Sequence, residues 1–381
     1  MCIRDSSYYG GGQDPNAYGN TTDLNWMAGS QYVYSFGKCI FMPADLTAGI
    51  EFNQDKLEDN MWGYHRTVDQ KVNIGSAFFQ NEWKNEHWGF LIGGRLDKHN
   101  LIDHVIFSPR ANLRYNPTEN INLRFSYSSG FRAPQAFDED LHVKNVGGNV
   151  AMVELADNLK EERSQSLSAS ADIYHRFGAF QVNFLVEGFY TKLSDVFALT
   201  DGEVVDGILT RTRYNAPGAR VMGLTLEGKM AYLTKFQVQA GVTLQQSHYS
   251  EPHVWNKEAP AVKKMMRTPN TYGYFTATYT PIKPLSIALS GTYTGSMLVP
   301  HEPVPGFLEK PITVNTKDFF DIGLKAAYDF KLYKSMNLQV NAGVQNIFNA
   351  YQNDFDKGAD RDSGYIYGPS LPRSFFAGVK I

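Results

Sequence analysis

The chain of 381 residues balances 36 Lys and Arg against 39 Asp and Glu, for a formal net charge of −3, and it holds 14% aromatics, 33 Gly and only 2 Cys. That balance excludes a basic nucleic-acid binder, and two cysteines exclude a disulfide scaffold or a Cys-rich zinc or iron–sulfur site. No run approaches the ~18–20 apolar residues of a membrane helix, which leaves a large all-β chain, either soluble or a membrane barrel in which only alternate residues meet lipid.

In chain order, Met1–Cys2–Ile3–Arg4–Asp5–Ser6 fits nothing that follows and shows no secretory signal pattern. It resembles adapter sequence translated at the end of a gene fragment. Residues 1–25 are therefore expected to be a non-native leader and a partial outer loop, and residues 26–381 the folded part. Cys39 stands alone beside a turn, as a solvated or packed thiol.

Period-two alternation then marks about fifteen strands, near 26–37, 45–53, 71–81, 86–96, 105–116, 120–130, 164–177, 180–199, 209–232, 236–248, 271–280, 284–294, 316–331, 335–348 and 372–381. Over Ile121–Ser128, for example, Ile121, Leu123, Phe125 and Tyr127 share one face and Asn122, Arg124, Ser126 and Ser128 the other. The charges Arg110, Arg114, Arg124, Glu187 and Glu227 all fall on polar faces, suited to a wet lumen or to the solvent side of a sandwich. Tyr and Trp near strand ends (Trp83, Trp88, Tyr115, Tyr190, Tyr232, Tyr279) suit interfacial girdles, or simply reflect β-propensity.

The connections decide between the two settings. Short ones at 116–120, 177–179, 233–235, 281–283 and 332–334 alternate with mostly long ones at 54–70, 131–163, 249–270, 295–315 and 349–371, with 97–104 and 200–208 between these sizes. Antiparallel neighbours joined this way gather every short turn at one rim and every long loop at the other. Outer-membrane barrels show that asymmetry, whereas a sandwich with Greek-key crossovers has no reason to. The fold class expected is an all-β transmembrane antiparallel barrel.

Four stretches, in order, resemble signatures of TonB-dependent outer-membrane receptors, of the kind found in Bacteroidetes-type bacteria. Ser129–Gly130–Phe131–Arg132–Ala133–Pro134 is similar to the run that opens a long outer loop. Asn215 to Glu227 resembles an N-x-x-x-A-R-x-x-G-x-E-x-E strand, with Thr225 where an acid is usual. Val344 to Tyr351 resembles V-x-N-L-F-D-x-x-Y, and Pro372–Arg373–Ser374–Phe375 resembles the opening of the last strand, which here ends on Ile381 rather than an aromatic. The resemblance implies a barrel of roughly 22 strands plugged from within. About fifteen would lie in this chain, with the plug and the energy-coupling box outside it. It further implies an outer-membrane active transporter for a scarce, large nutrient, a ferric siderophore, haem or cobalamin. The implied partners are membrane lipid, lipopolysaccharide and, through the missing N-terminal part, the TonB complex.

No G-x-S-x-G, H-E-x-x-H or Walker pattern occurs, so neither a catalytic residue nor a cofactor is expected. Asp97, His99, Asp103 and His104 read as metal ligands or as a solvated polar loop. Asp138, Glu139 and Asp140 read as an oxygen-rich calcium site or as an acidic loop facing anionic lipopolysaccharide, and Asp354, Asp356, Asp360 and Asp362 read the same two ways. Arg110, Arg114 and Arg124 would pair with charges of the plug or wall, or steer an anionic ligand. Ligand contact is expected from Phe131, Arg132, Phe137, Trp255, Tyr365 and Tyr367, whose rings and guanidinium offer area with little entropy loss. A passive porin and a soluble β-sandwich adhesin or carbohydrate-binding module are the rival readings.

Overall fold

A strand with one apolar and one polar face, followed by a two- or three-residue turn, can only fold back beside itself. The computed structural model, which describes residues 2–9, 18–134, 150–205, 208–333, 336–358, 361–362, 364–369 and 371–381, repeats that step along the whole chain. Strands β1 (Cys2–Tyr9), β2 (Tyr18–Cys39), β3 (Met42–Met61), β4 (Arg66–Lys84), β5 (Trp88–His99), β6 (Ile106–Thr118) and β7 (Ile121–Arg132) form an antiparallel meander. β8 (Val150–Leu155) lies outside it. β9 (Glu162–Phe177) resumes the wall beside β7 and pairs with β10 (Phe180–Ser194). β11 (Val196–Val205) and β12 (Ile208–Ala216) form a hairpin off the wall, with β8 parallel to β12. The wall continues with β13 (Ala219–Tyr232) and β14 (Phe236–His253), whose tip holds β15 (Val262–Lys264), and then β16 (Thr271–Ile282) and β17 (Leu285–Thr294). A second hairpin, β18 (Leu298–His301) and β19 (Ile312–Asn315), precedes β20 (Phe319–Tyr333), β21 (Met336–Gln345) and β22 (Ser374–Lys380). The result is one sheet of 17 strands in chain order, antiparallel throughout.

Directly paired residues share a face, so the register can be read in rows. One row runs Phe125, Ala169, Gly188, Leu224, Leu244 and Thr271, and the next runs Leu123, Ala171, Val186, Leu226, Val242, Gly273 and Tyr293. The apolar face thus continues unbroken from strand to strand. It is uncovered: Phe79, Ile92 and Leu244 are 54%, 57% and 48% exposed. Aromatics edge it on the short-turn side, where Trp88 stacks on Tyr115 at 4.2 Å and Phe180 lies 4.6 Å from Tyr232. The opposite face carries the polar set. There Arg95 donates to Asp97 at 2.7 Å, to Ser76 at 2.7 Å and to Glu51 at 2.8 Å.

The turns at 40–41, 85–87, 119–120, 178–179, 233–235 and 283–284 all lie at one rim, and every long connection lies at the other. Three expectations change. The region 54–70 is not a loop, because β3 and β4 continue through it to a single 3-10 turn at Trp62–Tyr64. The extension holds because Leu57, Met61 and Val72 are buried in it and because Trp26–Gln54–Asn73 and Thr21–Asp59 form cross-strand hydrogen bonds. The strand expected at 180–199 breaks at Asp195 (φ 54°), and the one at 209–232 breaks at Gly218. At Gly218 φ is 128° and a Cβ would meet the Leu193 carbonyl oxygen at 2.4 Å. Finally, strand pairing begins ahead of residue 26, with β1 along β2 from Tyr18.

Arg95→Met should destabilise the wall by about 2–3 kcal/mol, because the 4% exposed Asp97 carboxylate loses its cation. Adding Asp97→Asn should recover most of that loss, and a denaturant refolding titration of the double-mutant cycle reads both.

Candidate functional site

Among the described residues, the buried apolar clusters lie at the long-loop rim. Val196, Ala198, Ala216 and Ala219 pack with Tyr214, Tyr249 and Met265. Ile102, Ile106 and Ala133 pack with Phe131, and Met297, Val299 and Tyr365 pack with Val314 and Tyr367. Loops that would otherwise splay are thereby gathered into one platform.

One hydrogen-bonded part of it joins the 295–318 and 346–373 connections. Gln352, 1% exposed, donates to the Tyr365 carbonyl at 3.0 Å and accepts from the Tyr367 amide at 2.8 Å. Asp354 accepts from the Tyr365 hydroxyl at 3.2 Å and from the Tyr367 hydroxyl at 2.6 Å. His301 stacks on Tyr365 at 3.8 Å between ring centroids, and its Nε2 lies 2.8 Å from Asp356. Asp362 accepts from the Glu302 and Gly364 amides. From the neighbouring loop Arg267 donates to the carbonyls of Gly364 and Ile366. Asp356 and Asp362 therefore tie the two connections together, and Asp354 braces the second one internally.

The expected ligand contacts are divided among three places. Tyr365 and Tyr367 meet at Asp354, but Tyr365 is 4% exposed and belongs to the loop interior. Arg132 stands with Arg213 over the Phe197 ring, at 5.5 and 5.6 Å, close to Phe131 at the top of β7. Trp255 sits apart, between β14 and β15, with its indole N–H buried and without an acceptor among the described residues. Phe137 and the calcium candidates Asp138, Glu139 and Asp140 lie outside the described residues, as does Asp360.

The cluster at 97–104 separates. Asp97 is tied to Arg95 and Ser76 on the wall, whereas His104 reaches Glu161 at 3.1 Å beside Arg163 at 2.7 Å. Burial raises the Glu161 carboxyl, but the hydrogen bond from Arg163 and its companions outweigh that and hold it below the usual carboxylate range. No metal-like group of three His, Cys, Asp or Glu occurs among the described residues.

On the inner wall Arg114 lies directly opposite Arg124 and donates to the Asn85 carbonyl, while Arg124 donates to Asn122. Glu227 pairs with Lys229 at 2.7 Å and accepts from the Tyr274 hydroxyl. Arg110 and Glu187 share this face, opposite Ser128 and Ser170. Sequence reasoning missed Gln352, His301, Arg267 and Phe197, since their partners are distant in the chain and none sits in a recognisable spacing.

A family model described as "TonB dependent receptor-like, beta-barrel" matches residues 3–347. The chain belongs to this family. Among solved structures, this TonB-dependent receptor barrel is similar to a mutant of the ferric enterobactin receptor PfeA from Pseudomonas aeruginosa (TM-score 0.70, 18% identity, 98% of this chain and 57% of that one). It is also similar to the siderophore receptor PirA from Acinetobacter baumannii (TM-score 0.65, 16% identity, 95% and 55%). A third is the FrpB iron transporter from Neisseria meningitidis (TM-score 0.65, 15% identity, 95% and 55%). The chain spans a little over half the length of these receptors. No curated protein sequence matches it.

The structure gives the family's signature residues a physical role. Asn215 exchanges hydrogen bonds with the Lys160 backbone and donates to Asp195, tying three loops. Asn346 (φ 49°) ends β21, and its side chain bonds Ala350 and the Leu371 carbonyl; Asn349 (φ 54°) accepts from the Arg373 amide just before β22. Asn tolerates this left-handed backbone better than other residues with side chains.

Burial and the Asp354 carboxylate push the Tyr365 hydroxyl up to about 12 and drive Tyr367 upward for the same two reasons. Both folded values lie above the ordinary value of about 10. Their contribution is therefore complete below about pH 10 and is lost as the pH rises through the folded values. In an alkaline titration followed by phenolate absorbance, these two tyrosines should ionise last, and Asp354→Asn should bring both down.

Proposed function

We propose that this chain forms the C-terminal part of an outer-membrane receptor that binds a ferric siderophore, or a similarly large iron chelate, and imports it with energy delivered through TonB. The observation that carries the reading is the two-faced wall: an unbroken apolar belt outside, a charged face inside, and all bulky connections at one rim. Only a hydrocarbon surrounding makes so much exposed apolar surface favourable. The names of the structural neighbours, a ferric enterobactin receptor, a siderophore receptor and an iron transporter, favour an iron chelate over haem or cobalamin.

Import of this kind changes conformation and breaks no bond, so the protein is not an enzyme on this reading. Tyr367, Trp255, Phe131 and Arg132 supply ring area and positive charge at the rim. The wall arginines Arg110, Arg114 and Arg124 favour an anionic cargo or acidic plug residues.

Leu289 lies on the outward face between Ala277 and Leu324; Ser290 lies inward between Thr276 and Gly323. Leu289→Arg should therefore cost about 2–4 kcal/mol in a bilayer refolding titration, while Ser290→Arg should be nearly neutral. Equal effects would count for a soluble sandwich. For the cargo, deletion of the full-length gene should abolish growth of its host on a ferric siderophore as sole iron source. Uptake that persists without TonB would mark a passive pore.

A further inference from the structure

One sector of the outward face differs from the rest. Above the belt, Lys192 on β10 pairs with Arg220 on β13, Arg220 with His248 on β14, and His248 with Lys264 on β15. With adjacent strands about 4.8 Å apart, four basic side chains stand in a row roughly 15 Å long. They share the face of Tyr190, Met222 and Gln246, two residues further along each strand. Their alternate neighbours Leu193, Ala219 and Tyr249 pack into the rim cluster on the other side.

The row continues through Gln165 and Ser129 without meeting an acid. No hydrogen bond or ion pair engages any of the four among the described residues. Like charges directly opposite one another repel, so the row is favourable only with an anion across it. Two other cationic groups near this rim are offset: Lys56 and Lys71 lie one step below Glu58 and Asp69, and Arg163 is taken by Glu161.

Directly below the row the apolar face is hollow. Phe125, Leu167, Tyr190, Met222 and Leu224 border a shallow, open groove whose floor includes Ala169 and Gly188. At Gly188 a Cβ would meet no atom within 4 Å. A groove in a surface bathed by hydrocarbon takes an acyl chain, and cations at its upper end take a phosphate.

We propose that the outward surface of β10, β13, β14 and β15 is a binding site for a phosphorylated, acylated lipid of the outer leaflet, its phosphate on Lys192, Arg220, His248 and Lys264 and one acyl chain in the groove below. The site rests on the membrane-spanning reading given above. Charge complementarity selects this occupant over a neutral lipid, and the adjoining groove selects it over free phosphate. The lipid would brace the strands that carry the 195–218 and 254–270 connections.

The test uses the full-length receptor that carries this chain, refolded into phosphatidylcholine nanodiscs with its barrel state checked by circular dichroism, and diphosphoryl lipid A as the probe. Lipid retention is then read by native mass spectrometry. The triple variant Lys192→Gln, Arg220→Gln, Lys264→Gln should lose about tenfold or more of the retained lipid A at low salt. Lys235→Gln, Lys283→Gln, Lys331→Gln at the short-turn rim should lose none. Gly188→Leu should weaken retention by filling the groove while leaving the charges in place. Equal retention of dephosphorylated lipid A, or wild-type retention by the first triple variant in a folded barrel, overturns the site and leaves the membrane reading intact. A detergent-stable dimer abolished by Gly188→Leu overturns it in favour of a second copy of the chain. A chain that stays folded and monodisperse without detergent overturns the membrane reading itself, and the lipid site with it.

Discussion

Everything in this molecule depends on the ladder of backbone hydrogen bonds between each strand and the next. Among the described residues no second layer packs against the wall, and in hydrocarbon a backbone amide without a partner is prohibitively unfavourable. Each strand is committed to its chain neighbour along its full membrane-crossing length, as the continuous registers of β10 with β13 and β13 with β14 show. Side chains then only choose which face is which. One slipped residue would exchange the belt for the lumen across a whole strand.

That dependence explains how much could be read without coordinates. Alternation and turn size are local properties, and they mark the meander, the segregation of the rims and the apolar face of Ile121, Leu123, Phe125 and Tyr127. The rim was far less legible. β8 pairs in parallel with β12 across more than fifty residues of chain, and Arg267 reaches the carbonyls of Gly364 and Ile366 about a hundred residues away. No periodicity announces such contacts. The extension of β3 and β4 was hidden for another reason: above the belt the alternation dissolves into polar residues such as Gln54, Asp55, Asn60 and Asp69.

The family's signature residues gather at that same rim, and they act on the backbone. Asn215, Asn346 and Asn349 spend their side chains on carbonyls and amides of neighbouring loops. Such residues fix where a loop leaves the wall.

The hairpin of β3 and β4 has a mechanical consequence. With the belt in lipid, β3 and β4 rise beyond Gln54 and Asn73 by roughly 25 Å, at about 3.3 Å per residue, with β2 and β1 paired alongside. The hairpin is stiffened by side-chain bridges and touches the loop platform where Arg66 donates to the Val153 carbonyl. A body striking the tip therefore applies torque rather than simple pressure, and that torque is delivered through unbroken ladders into β2 and β5.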